Sequence, residues 1–217
     1  MIILIDNGHG GGDSEKKGKY SPLLPKDMKI GDEFTNGGRF REWKYNRVIA
    51  SQVVDILKSM DYDARLLVPE DEDISLAERV RRVNTLCNKY GASNVILISV
   101  HANACGGGSE WMSGQGWEAW TTKGQTKSDA IAECLYNRAE KNFKGRKLRM
   151  DKKDGDKDKE ANFYIIYKAK CPCVLTENFF YDNKDDLKYM TSEEGIHYVV
   201  RTHVEGIIDY INSLKKK

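Results

Sequence analysis

The sequence lacks a long apolar segment. Of its 217 residues 40% are hydrophobic, yet the longest apolar runs, such as 95–100, are far shorter than the ~20 residues that a membrane-spanning helix needs. Charge of one sign is also lacking, because 35 Lys and Arg face 33 Asp and Glu and the formal net charge is only +2. So small a charge favours neither nucleic acid nor an anionic membrane. We therefore expect neither as a partner.

Cysteine is scarce, and its number is odd. The five cysteines are scattered along the chain, at Cys87, Cys105, Cys134, Cys171 and Cys173. Disulfide-rich secreted domains carry even numbers of cysteines, and a thiolate zinc site needs four ligands in closely spaced pairs. Neither pattern is present, so we expect no disulfide framework and mostly small, buried thiols.

Strand-like and helical patterns alternate along the rest of the sequence. Strand patterns cover 2–6, 64–68, 95–100, 116–121, 162–167 and 173–177, and helical patterns cover 42–59, 76–90 and 127–143. A last helix is predicted by apolar residues at spacings of three and four, namely Ile196, Val200, Val204, Ile207, Ile211 and Leu214. This pattern predicts one α/β domain over 1–217, with about six strands.

Two segments, 10–41 and 144–160, show no periodicity and are rich in glycine and charge. The first is unusually long for a loop inside a compact domain. It mixes Tyr20, Met28 and Phe34 with polar residues, so we expect a partly ordered flap that shapes a groove. The second alternates closely in charge sign, which predicts a mobile, solvated loop.

Three of the most apolar strands end on a residue that can bind a metal or assist one. His9 follows the first strand, His101 follows 95–100, and Glu177 closes 173–177. Ligands of open α/β sheets bind beyond the carboxyl ends of the strands, and catalytic zinc takes three ligands, often of the His/His/Glu kind. Glu42 is a further candidate, although a glutamate in the first turn of a helix is also favoured by the helix dipole. A buried arginine partner is the alternative explanation of Glu177.

Other polar and aromatic residues carry weaker signals. His197 and His203 lie on the predicted last helix, and we interpret both as structural. Trp111, Trp117 and Trp120 lie on or near one strand. They could stack against a sugar or a peptide, but core packing explains Trp117 or Trp120 equally well.

Five segments of the chain carry motifs of one known family. They read ILIDNGHGGGD, REWKYNRVIASQVVDIL, VILISVHANA, GWEAW and ANFYIIYKAKCPCVLTENFF. In this order they resemble the bacterial autolysin-type zinc N-acetylmuramoyl-L-alanine amidases. The most specific pieces are the His-Gly-Gly turn, the Ser-x-His-Ala-Asn turn and the apolar strand that closes on Glu. Asn7 and Asn178 stand where the family usually has Pro and Gly, and the loop 12–41 is longer than usual.

The resemblance implies a fold, a ligand set and a reaction. The fold is a single twisted, mostly parallel sheet flanked by helices on both faces. His9, Glu42 and His101 would bind one zinc ion per chain, and Glu177 would be the catalytic carboxylate. The expected reaction cleaves the amide bond between N-acetylmuramic acid and L-alanine in peptidoglycan, by a zinc-activated water molecule with Glu177 as general base.

Two other functions stay open at this point, a zinc carboxypeptidase acting on stem peptides and a non-catalytic peptidoglycan-binding module. We expect a monomer without separate wall-binding repeats. The N-terminus shows no basic leader or small-residue cleavage site. We therefore expect synthesis in the cytoplasm without a signal peptide, and action at the cell wall or in the periplasm after export or lysis.

Overall fold

The computed structural model describes residues 1–12, 19–153 and 155–215. Its strands are β1 (Ile2–Asn7), β2 (Thr35–Asn36), β3 (Arg39–Phe40), β4 (Asp63–Leu66), β5 (Val95–Asn103), β6 (Trp117–Thr121), β7 (Lys159–Glu160) and β8 (Cys173–Phe180). Six of them form one sheet in the order β4-β1-β5-β8-β6-β7. Neighbours in this sheet are parallel except β6 and β8. The predicted mostly parallel sheet of about six strands is confirmed.

Six α-helices accompany this sheet: α1 (Glu42–Ser59), α2 (Leu76–Tyr90), α3 (Lys127–Asn142), α4 (Tyr164–Lys168), α5 (Lys184–Met190) and α6 (Glu193–Leu214). Successive residues of a strand point to opposite faces of a sheet. Accordingly, Ile3 and Ile5 of β1 join a core with α1, α3 and α6. Ile2 and Leu4 join a second core with α2 and α4. Both faces of the sheet are thus covered by helices, as expected.

Local sequence explains where the helices begin and how closely they pack. Thr126 and Asp129 form a reciprocal capping box at the start of α3, and Ser192 caps α6 by accepting a hydrogen bond from the Gly195 amide. Gly206 allows α6 to approach α3, because a Cβ atom there would lie 2.7 Å from Leu135 Cδ2. No helix in the described part of the chain is long and apolar enough to cross a bilayer. All five cysteines are free.

The strand predicted at 162–167 is wrong. This stretch contains the short helix α4, in which Ile165 and Ile166 are buried while Tyr164 and Tyr167 are exposed. Two adjacent buried residues between exposed ones suit one helical turn lying on a sheet. In a strand, buried and exposed side chains would have alternated along this stretch. Short runs of β-branched and aromatic residues are compatible with both structures, which is why the pattern misled.

The described part of the long first loop, from residue 19 to Arg41, sends Phe34 and Phe40 into the core, while Lys19 lines the cleft beside His9. It is therefore more than a flap, and its role in shaping the groove stays a prediction. Residues 13–18 of that loop lie outside the described chain. The hairpin of β2 and β3 folds back on the domain, and Phe34 and Phe40 are almost completely buried in the larger core. The Phe40 ring stacks on the Tyr181 ring with their centroids 5.6 Å apart, and the Phe34 ring packs edge-on against the Tyr45 ring. Deleting this hairpin would remove core side chains.

The second loop, 144–160, is also more ordered than expected in its described residues, which exclude 154. We call it the edge strap. Leu148 bridges to Trp117, and β7 adds to the edge of the sheet by pairing with β6. Asp158 is only 2% exposed. The expectation of a solvated loop is therefore wrong for Leu148, Asp158 and β7. The alternation of charge in the sequence does not show which carboxylates become buried in the fold.

Candidate metal centre and catalytic carboxylate

His9, Glu42 and His101 come together at the carboxyl ends of β1 and β5. Glu42 Oε1 lies 3.3 Å from His9 Nε2 and 3.1 Å from His101 Nδ1. One ligand-type atom of each residue lies within 4.8 Å of the others. The Glu42 side chain is 2% exposed, whereas His9 and His101 are 22% and 14% exposed. The three residues therefore form a possible metal site with one side open to solvent.

The two histidines determine the charge state of Glu42. Burial alone would raise the pKa of this carboxyl, but the charge of His9 and hydrogen bonds from both imidazoles outweigh it and hold the pKa well below its usual range. Asn46, one helical turn further along α1, donates to Glu42 Oε1 at 3.4 Å and to the Gly8 carbonyl at 3.0 Å. Glu42 is thus fixed as a carboxylate that points away from its own helix toward both histidines.

The turn that carries His9 is tightly constrained. His9 has a φ of 65°, in the left-handed region that non-glycine residues rarely adopt. A Cβ atom at Gly8 would lie 2.2 Å from His101 Cε1, so only glycine lets the two ligand segments approach this closely. Such a strained turn persists only where the surroundings hold it in place.

Arg79 of α2 helps to keep the turn at His9 in place. Its guanidinium donates to the His9 carbonyl at 2.8 Å and to the Ile74 carbonyl at 2.8 Å, and it forms an ion pair with Asp6. Ser99 Oγ donates to the other Asp6 oxygen at 2.6 Å. Both charged side chains are buried. No local sequence pattern predicts this pair, because its members are 73 positions apart.

Replacing Arg79 by Met should lower the free energy of unfolding by about 3–5 kcal/mol, because Asp6 would remain buried and charged without its partner. Arg81→Met on the same helix is the control. The Arg81 side chain is 67% exposed and pairs only with Glu78, so its loss should cost at most about 1 kcal/mol. Urea denaturation near neutral pH measures both. Equal, small losses in the two variants would contradict the structural role of Arg79.

Glu177 lies beside the histidine site through the register of the sheet. On β8 it is the direct neighbour of His101 on one side and of Glu118 on the other. Its Oε2 atom is buried and has no hydrogen-bond partner among the residues that the structure describes. Burial, and then the charges of Glu42 and Glu118, raise the pKa of Glu177 well above its ordinary value. Such a carboxyl is suited to taking up and releasing a proton.

The arginine considered as a partner for Glu177 binds Glu118 instead. Glu118 is buried on β6, and Arg149 and Lys159 donate to its Oε2 at 2.6 and 3.0 Å. Asn103 and Trp120 donate to its Oε1 at 2.8 and 3.1 Å. These contacts saturate both oxygens of Glu118, and among the described residues none of them reaches Oε2 of Glu177. Strand alternation, which puts Glu118 and Trp120 on one side of β6, was the only signal of this arrangement in the sequence.

The remaining candidates take structural positions. Trp117 is fully buried, donates to Asn178 Oδ1 at 2.8 Å and packs on Tyr136, so it cannot stack on a substrate. Trp111 and Trp120 remain partly exposed. His203 is buried and hydrogen-bonded through both ring nitrogens, to Thr176 Oγ1 and the Val199 carbonyl. His197 is exposed on α6.

Comparison with known proteins identifies the family. The family model described as N-acetylmuramoyl-L-alanine amidase matches residues 3–209. The endolysin of Bacillus phage SPP1 is 28% identical over 100% of this chain and 68% of its own length. The amidase CwlM of Bacillus licheniformis is 26% identical over 98% of this chain and 70% of its own.

Solved structures agree with this assignment at the level of the fold. The N-acetylmuramoyl-L-alanine amidase from Clostridium difficile 630 has a TM-score of 0.70 at 23% identity, covering 98% of this chain and 97% of that one. The catalytic domain of CwlV from Bacillus (Paenibacillus) polymyxa has a TM-score of 0.68 at 22% identity, covering 98% of each chain. Since the family model spans nearly the whole sequence, this chain belongs to the N-acetylmuramoyl-L-alanine amidases and is a peptidoglycan amidase.

Proposed function

We propose that the chain cleaves the amide bond between N-acetylmuramic acid and L-alanine in a zinc-dependent reaction. In this proposal His9, Glu42 and His101 are the zinc ligands and Glu177 is the general base. The observation that carries it is the convergence of three ligand atoms within 4.8 Å of one another, beside a carboxyl with an unpaired, buried oxygen.

The residues present suit zinc. Two imidazole nitrogens and one carboxylate oxygen form a donor set that catalytic zinc commonly takes, with a further position left for water. When each histidine carries its proton on its other ring nitrogen, the converging atoms all offer lone pairs, and a cation between them would join all three. Contacts from Asn46 to Glu42 and from Arg79 to the His9 carbonyl supply the supporting hydrogen bonds that hold metal ligands in place. Zinc, when bound, would polarise the amide carbonyl and lower the pKa of a water molecule.

In this proposal Glu177 transfers a proton from the attacking water molecule to the leaving nitrogen. Its carboxylate removes a proton from the water that attacks the carbonyl carbon, and Oε2 can hold this proton because no described side chain or amide forms a hydrogen bond with that atom. Glu177 returns the proton to the L-alanine nitrogen as the carbon–nitrogen bond breaks. The products are the lactyl carboxylate of the sugar and a peptide with a free N-terminal alanine. A carboxyl whose pKa is raised performs both steps more readily than an ordinary one.

All four residues of the proposed centre come from one chain, so we propose that the protein acts as a monomer on peptidoglycan at the cell wall. The partly exposed histidines lie beside a cleft that is also lined by Lys19, Ile74 and Leu76. This cleft gives an extended polymer access to the site from outside.

Release of soluble fragments from purified, dye-labelled sacculi should stop when a zinc chelator is added and resume when zinc is restored. New N-terminal alanine should appear in parallel with the release. Activity of protein shown to be free of metal would overturn the zinc proposal. Release of free terminal D-alanine would indicate a carboxypeptidase, and binding to sacculi without any new amine would indicate a non-catalytic module.

A further inference from the structure

Two aspartates of the edge strap, far along the sheet from the histidines, have too few hydrogen-bond donors. Thr121 Oγ1 donates to Oδ2 of the buried Asp158 at 2.5 Å, and Gln125 Nε2 donates to Oδ2 of Asp156 at 3.1 Å. The Oδ1 atom of each aspartate is buried and has no hydrogen-bond partner within the described part of the strap and its surroundings. The two carboxyl groups also lie within hydrogen-bonding reach of each other. Buried oxygens that can only accept hydrogen bonds are costly in this arrangement unless a proton or a cation joins them.

Lys157 and Asp129 do not relieve this cost, and Lys152, which lines the same cavity as Asp156, forms no ion pair with it among the described residues. Lys157, between the two aspartates, turns toward α3 and pairs with Glu133 at 3.3 Å and Glu140 at 3.1 Å. Asp129 at the start of α3 adds a further negative charge, and its carboxylate already accepts hydrogen bonds from Thr126. Within the part of the chain that the structure describes, neither Asp156 nor Asp158 forms an ion pair. Burial, then the charges of Asp156 and Asp129, raise the pKa of Asp158 to about 7.

We propose that Asp156 and Asp158 bind a cation of the Ca²⁺ class, at a site separate from the zinc ligands. The available donors are all oxygens: two carboxylates, the Thr121 hydroxyl and the Gln125 side-chain amide, which presents its oxygen when the amide is turned over. Hard cations prefer such ligands, and Ca²⁺ accepts irregular geometry, whereas Mg²⁺ demands a nearly ideal octahedron. Zinc prefers the nitrogen-containing set of His9, Glu42 and His101.

The position of the site indicates what the cation does. Asp158 directly precedes β7, whose Lys159 pairs with Trp120 in the sheet and donates to Glu118 beside Glu177. Asp158 itself is tied to Thr121 at the end of β6. A cation bound by Asp156 and Asp158 would therefore fasten the edge strap to β6 and fix Lys159 and Arg149 over Glu118. Its effect is on stability, and it does not depend on the zinc reaction.

The test is the melting temperature of the zinc-loaded full chain as CaCl₂ is added at constant ionic strength, with MgCl₂ as the comparison. Calcium at about a hundredfold above its Kd should raise the melting temperature by about 5 °C or more. Asp158→Asn should abolish the rise. Asp151→Asn, at a carboxylate of the same strap whose Oδ1 accepts from the Lys153 amide, should keep it. Tb³⁺ luminescence that Ca²⁺ displaces should report the same site directly.

Three results would overturn the proposal. A rise that persists in both Asp156→Asn and Asp158→Asn places the cation elsewhere. If Asp158→Asn does not fold, the absence of Ca²⁺-displaceable Tb³⁺ luminescence in the wild-type chain is decisive against it. The third is a melting temperature that depends on pH but not on Ca²⁺, which would show that the two aspartates share a proton and not a cation. This stabilisation would be present below the ordinary pKa of Asp158 and would be lost as pH rises through about 7.

Discussion

Replacing Glu177 by Gln should lower the rate of amide hydrolysis by about 10²- to 10⁴-fold, the usual contribution of a general base. Gln keeps the size of the side chain, but it cannot accept a proton from the attacking water or return one to the L-alanine nitrogen. The loss should appear in kcat, with little change in KM, because the step affected is proton transfer and not binding.

The same variant should keep its fold and its metal. Among the described residues Oε2 of Glu177 has no hydrogen-bond partner to lose, and the substitution removes a group whose charged form is disfavoured by burial and by Glu42 and Glu118. The melting temperature should therefore stay level or rise. Glu110→Gln, on an exposed loop, is the matched control and should leave kcat unchanged. If Glu177→Gln retains activity within about tenfold of the wild type, the base lies elsewhere.

Part of this site could be predicted from the sequence, because a buried strand is recognisable as a short run of mostly apolar residues. A buried, mostly apolar strand has no packing reason to end on His or Glu, so His9, His101 and Glu177 could be singled out. That they meet follows from parallel register, which places His101 directly beside Glu177. Glu42 was different. Its place in the first turn of a helix suits the helix dipole equally well, and only the structure shows its side chain pointing at both histidines.

The supporting network was not accessible, since it depends on partners that are distant in sequence. Nothing in the local pattern at Arg79 predicts Asp6, and nothing at Glu118 predicts Arg149 and Lys159. The burial of Phe34 and Phe40 in a glycine-rich loop was missed for the same reason. Hydrophobic periodicity predicts helices and strands that bury one face, whereas these residues are buried by packing between elements.

Changing the metal ligands should separate metal loss from loss of catalysis. The wild-type chain should hold about one zinc ion, because three protein ligands with an open position describe a catalytic site. Replacing His9 and His101 together by Ala should remove both the zinc and the activity. Glu42→Gln keeps one oxygen ligand but loses its charge, so zinc affinity should fall by about tenfold or more, and excess zinc should restore part of the activity.

Elemental analysis and competition with a chromogenic chelator measure these affinities. Asn46→Ala serves as the graded comparison. It leaves every ligand in place and removes only the hydrogen bond to Glu42 Oε1 and the one to the Gly8 carbonyl, so its affinity should fall between that of the wild type and that of Glu42→Gln. Activity that returns with added zinc in Glu42→Gln but not in Glu177→Gln is the pattern that the proposed roles require. The opposite pattern, with zinc lost from Glu177→Gln and kept by Glu42→Gln, would exchange the roles of the two carboxylates.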